Sequence, residues 1–118
     1  MKKIDKTLAI SVRQPYAESI IRGEKVIEYR SKHTHVRGTI YVYAAKGKED
    51  TPIFNAYQIA EGEVSFGKII GTVELIQSER SYEFPEWYEW HFENPKKFEE
   101  PLTPMNRALP VFWYPEFE

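Results

Sequence analysis

Residues 8–30 are LAISVRQPYAESIIRGEKVIEYR and combine a strand pattern, a helix pattern and a second strand pattern. Over residues 8–12, large apolar residues alternate with small ones, and this period of two predicts a strand. Pro15 suits the first turn of a helix because its ring fixes φ. An apolar stripe at helical spacing follows, formed by Ala17, Ile20 and Ile21. This part of the chain therefore predicts a strand followed directly by a short helix.

The second half of the same stretch predicts a helix end and a return strand. Gly23 stands where a helix commonly ends in the left-handed conformation. From Val26 to Arg30 the pattern alternates again, so that Ile27 and Tyr29 face one side and Glu28 and Arg30 the other. Lys25 lies at the joint before this strand, where strict alternation need not hold.

Polar residues are concentrated at the two joints of this strand–helix–strand unit. If the two strands are neighbours, these side chains converge on one cleft, with an aromatic ring at its lip. Three cations, a carboxylate, an amide and a ring suit an anionic, planar ligand. The predicted ligand-binding residues are Arg13, Gln14, Tyr16, Lys25, Glu28 and Arg30.

The same residues carry a family resemblance. The pattern Gly-x-Lys-x-x-Glu-x-Arg, here Gly23, Lys25, Glu28 and Arg30, resembles the signature of the ASCH domain, a relative of the PUA domains. The preceding Gln-Pro-aromatic-Ala at residues 14–17 is similar to that family as well. The C-terminal run from Trp90 to Pro104 is also family-like, so the resemblance extends over nearly the whole chain.

The resemblance implies an α+β fold, namely a small, mostly antiparallel, PUA-like β-barrel with two to three short flanking helices. The residue patterns agree with further strands at 39–45 and 69–77, where Gly71 allows a bend or bulge, and with a short helix from Thr51 to about residue 60. Tyr88, Trp90 and Phe92 share one face of another strand, and 111–114 predicts a closing strand. The length of 118 residues predicts a single domain over residues 1–118.

Composition excludes several classes of protein. The chain has no cysteine, so it has neither a disulfide framework nor a thiolate nucleophile. No apolar run approaches the roughly 18 residues of a membrane helix, and the basic start is not followed by a signal-peptide core. We therefore expect a cytoplasmic protein that needs no membrane and no cofactor. His33 and His35 lack a supporting ligand pattern, so no metal site is predicted; loop solvation is favoured, and a phosphate contact from Lys32, His33 and Arg37 is the alternative.

The charge is distributed unevenly along the chain, although the net charge is only −2. Residues 1–48 contain 11 Lys and Arg against 4 Asp and Glu, whereas the remainder contains 5 against 14. One interpretation is an electropositive cleft in the first half that attracts phosphates. The other is that the two halves interleave in space and the asymmetry cancels, and the sequence leaves both open.

Aromatic residues are most frequent in the last third of the chain. For Trp90, Phe92 and Trp113 we favour packing in the core over stacking on a base, because large rings dominate small cores. Tyr16 lies beside charged residues at a helix start, so stacking on a ligand and simple packing are equally good interpretations there.

Lys25 and Glu28 are the pair that suits catalysis, if the protein is an enzyme. A lysine that is partly desolvated beside other cations acts more readily as a base or nucleophile. Some small ASCH members hydrolyse N4-acylated cytidines, apparently with the motif lysine and a threonine three residues later; here that position is Glu28. A glutamate there favours an ion pair with Lys25 or Arg30. Glu74 is a further, unsupported carboxylate.

Three functions follow from these observations. The first is a PUA-like domain that binds RNA or a modified nucleotide in the cleft. The second is a small hydrolase of acylated nucleosides, or a ribonuclease, that uses the same cleft. The third, which rests on the charge asymmetry alone, is a protein-interaction module. Whether catalysis occurs, and in which oligomeric state the protein works, the sequence leaves open.

Overall fold

The computed structural model describes the backbone of residues 3–4 and all of residues 6–118. The strands are β1 (Lys3–Ile4), β2 (Ala9–Gln14), β3 (Ile27–Arg30), β4 (Gly38–Lys48), β5 (Lys68–Arg80), β6 (Tyr88–Leu102), β7 (Phe112–Trp113) and β8 (Glu116–Phe117). The helices are α1 (Tyr16–Ile21), α2 (Thr51–Ala56) and a 3₁₀ turn at Glu61–Glu63. Within this described part of the chain, no helix has the length and apolar content needed to cross a membrane.

Six strands form one curled sheet in the order β3-β6-β5-β4-β2-β7, and β1 pairs with β8 in a separate ribbon. The pair β2–β4 is parallel, whereas the other pairs in both sheets are antiparallel. The prediction of a closed barrel is therefore wrong: the sheet is a half-barrel whose two edges, β3 and β7, are not hydrogen-bonded to each other. The mostly antiparallel pairing and the short helices match the predicted α+β class.

The main core lies between helix α1 and one face of the sheet. Ile10, Ile40 and Val42 from the strands and Ile20 from the helix are at most 2% exposed. Trp90 and Phe92 belong to the same core, and Trp113 is buried in a second cluster on the opposite face. The packing interpretation of these three rings is therefore confirmed.

A glycine in β5 allows helix α1 to pack this closely. A side chain at Gly71 would collide with the Lys96 carbonyl of β6 and would press on Ile21 of the helix. The register of the β5–β6 pairing also shifts at this point, between Ile69 and Gly71 of β5. The predicted irregularity at Gly71 is confirmed, and close backbone approach is its physical cause.

Two predicted elements differ in extent. Helix α2 ends at Ala56, not near residue 60, because Gln58 takes a positive φ of 56° that breaks the helical path. Strands β5 and β6 run to 13 and 15 residues, and they bring a loop at residues 81–87 far from the centre of the sheet. This loop later forms one wall of the candidate site.

Candidate functional site

Helix α1 ends in a hydrogen-bonded turn that directs the chain into the site. Gly23 has a φ of 80°, and its N–H donates to the Ile20 carbonyl at 3.0 Å. The Glu24 N–H donates to the Ser19 carbonyl at 3.0 Å, and the Lys25 N–H donates to the same carbonyl at 3.1 Å. This is the pattern of a Schellman C-cap, which the glycine position predicted. The turn places Lys25 beside the start of β3.

Lys25, Glu28 and Arg30 meet as the motif spacing predicted. The Lys25 ammonium lies 3.6 Å from Glu28 Oε1, and Arg30 Nε donates to Glu28 Oε2 at 3.0 Å. The side chains of Lys25 and Glu28 are only 14% and 11% exposed, so this network is largely shielded from water. The activation argument for Lys25 required other cations beside it, but the charged group it faces is a carboxylate.

Arg30 also joins the two sides of the curled sheet. Its Nη2 donates to the Ser11 carbonyl of β2 at 3.0 Å, although β2 and β3 are not neighbours in the sheet. Its guanidinium carbon lies 5.5 Å from the centre of the Trp90 ring. The predicted convergence of the two joints therefore comes from the curl of the sheet and side-chain bonds, not from strand pairing.

An open cavity of about 500 Å³, which we call the aromatic cavity, lies next to this network. Its polar lining is Lys25 and Glu28. Its apolar lining consists of five rings, which are Tyr16, Tyr29, Tyr57, Phe84 and Trp87. Three of these rings, Tyr29, Phe84 and Trp87, are 39%, 44% and 41% exposed, so they have faces free for contact with another molecule.

Tyr16 and Tyr57 form the inner wall of the aromatic cavity. Their rings meet edge to face with centroids 5.3 Å apart, and the Lys25 ammonium lies 5.4 Å from the Tyr16 centroid. Burial, followed by the Glu49 carboxylate, raises the pKa of Tyr16. Burial and the Glu28 carboxylate raise the pKa of Tyr57. Both phenols therefore stay protonated at neutral pH and remain available as hydrogen-bond donors.

Two further cavities continue from the aromatic cavity along the seam where the sheet edges approach. A central cavity of about 440 Å³ shares Tyr16 and Glu28 with it and adds Arg13 and Arg30. A third cavity of about 390 Å³ shares Arg30 and contains Lys32 and His33. We call these three cavities together the groove. Arg13 lies at its rim, 60% exposed, with its guanidinium 3.3 Å from the Glu49 carboxylate.

Gln14 is the one predicted ligand-binding residue that the structure keeps out of the groove. It is fully buried. Its Oε1 accepts the Glu18 N–H at 2.8 Å, and its Nε2 donates to the Ser65 carbonyl at 3.0 Å. The Glu18 N–H lies in the first turn of α1 and has no partner inside that helix. Gln14 therefore supports the start of the helix and is not placed to touch a ligand.

Four rings of the aromatic cavity were not among the predicted site residues: Tyr29, Tyr57, Phe84 and Trp87. Phe84 and Trp87 come from the loop at 81–87, whose sequence SYEFPEW mixes rings with acidic residues. Rings that alternate with charges in a loop cannot all be buried, so this pattern could have predicted exposed aromatic side chains here. Tyr57 offered none, because only the position of α2 beside α1 brings it to the cavity.

The remaining polar candidates lie outside the groove or at its far end. His33 Nδ1 lies 2.8 Å from the Ser78 hydroxyl. Glu74 lies beside Asn94 in a separate cavity. On β5 and β6, His91 Nε2 lies 3.3 Å from a carboxylate oxygen of Glu79 and of Glu89 without hydrogen-bond geometry to either. The His91 nitrogen and one carboxylate oxygen from each glutamate lie within 4.8 Å of one another, a cluster that the sequence spacing did not predict.

Comparison with known proteins places this geometry in context. The model of the ASCH domain matches residues 10–102, which include both joints of the strand–helix–strand unit. Two solved structures of an ASCH protein from Zymomonas mobilis are similar in fold. One, a tyrosine-to-phenylalanine mutant, has a TM-score of 0.55 and 14% identity, with 84% of this chain and 76% of that chain covered. The other has a TM-score of 0.54 and 14% identity, with 83% and 73% covered. No curated protein matches the chain significantly.

Proposed function

The chain belongs to the ASCH domain family, and on this basis, together with the chemistry of the groove, we propose that it binds RNA or a modified nucleotide. The observation that carries the proposal is the aromatic cavity, in which five rings surround the Lys25–Glu28 ion pair. Aromatic side chains stack on the face of any base, while charged groups meet its edge and the phosphates. One cavity thus offers both kinds of contact that an unstacked nucleotide needs.

Each side chain has a distinct role in this proposal. Tyr16 or one of the exposed rings, Phe84 or Trp87, stacks on the base. Lys25 meets a carbonyl or phosphate oxygen, and Glu28 accepts a hydrogen bond from the base edge. Arg13 and Arg30, in the adjoining central cavity, meet phosphate oxygens. Gln14 has no role in binding because both ends of its amide are already bonded inside the protein.

The shape of the groove favours a nucleotide chain over an enclosed nucleoside. The volume of the aromatic cavity lies within the range of small-molecule sites, which is about 300–1,000 Å³. However, the cavity is open and adjoins the central cavity at Tyr16 and Glu28, and the central cavity adjoins the third at Arg30. A ligand that extends out of the first cavity therefore meets further polar lining instead of a wall.

Binding is tested by thermal unfolding with and without ligand, using a short RNA of mixed sequence, single nucleosides and N4-acetylcytidine. A ligand at about 100 times its dissociation constant stabilises the folded protein by about 2.7 kcal/mol. We expect stabilisation of the wild type by RNA, and its loss in Lys25→Ala and in Trp87→Ala. Lys96→Ala is the matched control, since Lys96 lies at a separate cavity. Equal ligand effects in Lys25→Ala, Trp87→Ala and the wild type would contradict the proposal.

A second candidate function is hydrolysis of an acylated nucleoside or of RNA in the same groove. The observation that favours it is the 3.6 Å approach of Lys25 and Glu28 beside a cavity of nucleoside size. Lys25 would be the base or nucleophile, and Glu28 would take part in proton transfer. Against it, Arg30 already holds one Glu28 oxygen. Turnover of N4-acetylcytidine or RNA that Lys25→Ala abolishes and Lys96→Ala retains would establish it, and wild-type protein without turnover would dismiss it.

A further inference from the structure

A larger cavity, of about 1120 Å³, adjoins the groove on the outer side of β2. We call it the outer cavity. It shares Ser11, Arg13, Ala45 and Pro110 with the central cavity, so the two cavities adjoin each other at the Arg13 side chain. Its far wall is the segment 103–110, between β6 and β7. A ligand that leaves the groove past Arg13 therefore enters the outer cavity.

The charged residues of the outer cavity all have the same sign. Among its described lining residues the charged ones are Arg13, Lys46 and Arg107, with no carboxylate. Arg13 forms an ion pair with Glu49, but this pair is weak because water reaches both side chains. Lys46 and Arg107 are exposed, and neither side chain forms an ion pair or a hydrogen bond with another of residues 6–118. In contrast, Lys25 and Arg30 of the groove both form ion pairs with the single carboxylate of Glu28.

The backbone that carries these cations is held in place. The Ser11 hydroxyl donates to the Leu109 carbonyl at 2.8 Å, which ties the far wall to β2. Next to Arg107, Asn106 donates to the Tyr114 carbonyl at 2.9 Å and accepts the Glu116 N–H at 2.8 Å. On the opposite wall, the aliphatic part of the Lys46 side chain packs against Gly67. A Cβ atom at position 67 would lie only 3.1 Å from Lys46 Cε. The backbone positions from which these cationic side chains extend are therefore fixed, which lowers the ordering cost of binding a polyanion.

We infer that the outer cavity is a phosphate-binding subsite for the ligand of the groove: in a nucleotide chain whose base occupies the aromatic cavity, the neighbouring phosphodiester groups lie against Arg13, Lys46 and Arg107. This inference rests on the proposed function and extends it from one nucleotide to a chain of linked nucleotides. Three cations in a cavity that no carboxylate lines attract repeated phosphates, whereas a nucleoside carries no phosphate for them to bind. The ion-paired Lys25 and Glu28 of the aromatic cavity contact the base, and the cations of the outer cavity add to the salt-dependent part of the affinity.

The inference is tested with the double variant Lys46→Ala/Arg107→Ala and a fluorescein-labelled RNA hexamer of mixed sequence, titrated at several salt concentrations. The slope of log K against log[salt] is negative, and each lost phosphate contact reduces its magnitude by about 0.7 for a single strand. Two lost contacts reduce it by about 1.4. If variant and wild type bind equally at 1 M salt, the variant should therefore bind about 25-fold more weakly than the wild type at 0.1 M. Lys96→Ala/Arg22→Ala removes the same two charge types from outside the groove and the outer cavity, and it should bind like the wild type.

The arms of this experiment separate the inference from the proposal it rests on. Hexamer binding weakened in Lys46→Ala/Arg107→Ala, with nucleoside binding unchanged, supports the inference. Hexamer binding that Lys25→Ala removes but Lys46→Ala/Arg107→Ala leaves intact overturns the inference and retains the proposed function. A nucleoside triphosphate that binds as tightly as the hexamer, with the same dependence on Lys46 and Arg107, overturns the assignment to a nucleotide chain. Hexamer binding that neither Lys25→Ala nor Lys46→Ala/Arg107→Ala weakens overturns both the inference and the proposed function.

Discussion

Two polar clusters arise from the same short stretch of the chain and end in opposite environments. Gln14 and Glu18 are 0% and 2% exposed and line none of the groove cavities. Lys25, Glu28 and Arg30 are partly covered and line the groove. Both clusters are well bonded internally, so hydrogen bonding alone does not distinguish a structural cluster from a binding one. The difference lies in whether the bonded groups border open space.

Each cluster connects different parts of the fold. In the first, Gln14 bonds the start of α1 to Ser65, and Glu18 binds Arg22, just past the end of the helix, and Lys97 on β6, at 2.9 and 2.6 Å. In the second, Arg30 bonds β3 to β2 across an unpaired seam. The first cluster therefore fixes the helix, whereas the second fixes the walls of the groove. Removing a member should reveal this division.

The largest effect is expected for Gln14→Ala. It leaves the Glu18 N–H and the Ser65 carbonyl without their partner, and a buried unpaired group costs about 1–3 kcal/mol. We expect a loss of about 3 kcal/mol in the free energy of unfolding, measured by urea denaturation, with RNA affinity unchanged under conditions where the variant is folded. Gln77→Ala, at an exposed position of β5, should lose less than about 0.5 kcal/mol. A Gln14→Ala variant that is as stable as the wild type but has lost RNA binding would show that Gln14 acts in binding and not in stabilising the helix.

An intermediate effect is expected for Arg30→Lys. A single ammonium cannot reproduce the planar fork that bonds Glu28 Oε2 and the Ser11 carbonyl together. We expect unfolding to require about 1 kcal/mol less and RNA affinity to fall as well, because the groove wall shifts. Calorimetry and RNA titration measure the two effects. Arg22→Lys, which retains a charge beside Glu18 outside the groove, should leave RNA affinity unchanged, and an equal loss there would remove the distinction between the clusters.

The smallest effect concerns alkaline pH. Burial raises the pKa of Tyr16 and Tyr57 above the usual value of 10.0, with contributions from nearby carboxylates. The unfolded chain then loses these protons first, so their stabilising contribution is complete below pH 10 and is lost as the pH rises through the folded-state pKa. Urea unfolding at pH 9 and pH 11 should show a smaller pH-dependent loss for Tyr16→Phe/Tyr57→Phe than for the wild type. Identical losses would show that the inner wall of the groove is not coupled to this titration.

Local patterns predicted the parts of the fold that depend on near neighbours in the chain. The strand, the helix and the Schellman turn at Gly23 all follow from the spacing within residues 8–30, and the glycine at 71 follows from its place in a strand. Closure of the barrel could not be predicted, because it depends on whether β3 and β7 meet, and these strands are more than 80 residues apart. Their pairing is determined by the curl of the sheet between them.

The motif spacing was sufficient to bring Lys25, Glu28 and Arg30 together, because a short strand and one turn place all three within reach of each other. It was not sufficient for the environment of each residue. Gln14 and Arg13 are adjacent in the chain, yet one is buried and the other is 60% exposed, since the strand directs them to opposite faces. The five-ring wall and the unpaired cations of the outer cavity arise from segments distant in sequence. Their association is decided by the packing of α2, the 81–87 loop and the 103–110 segment around the curled sheet, which no local pattern encodes.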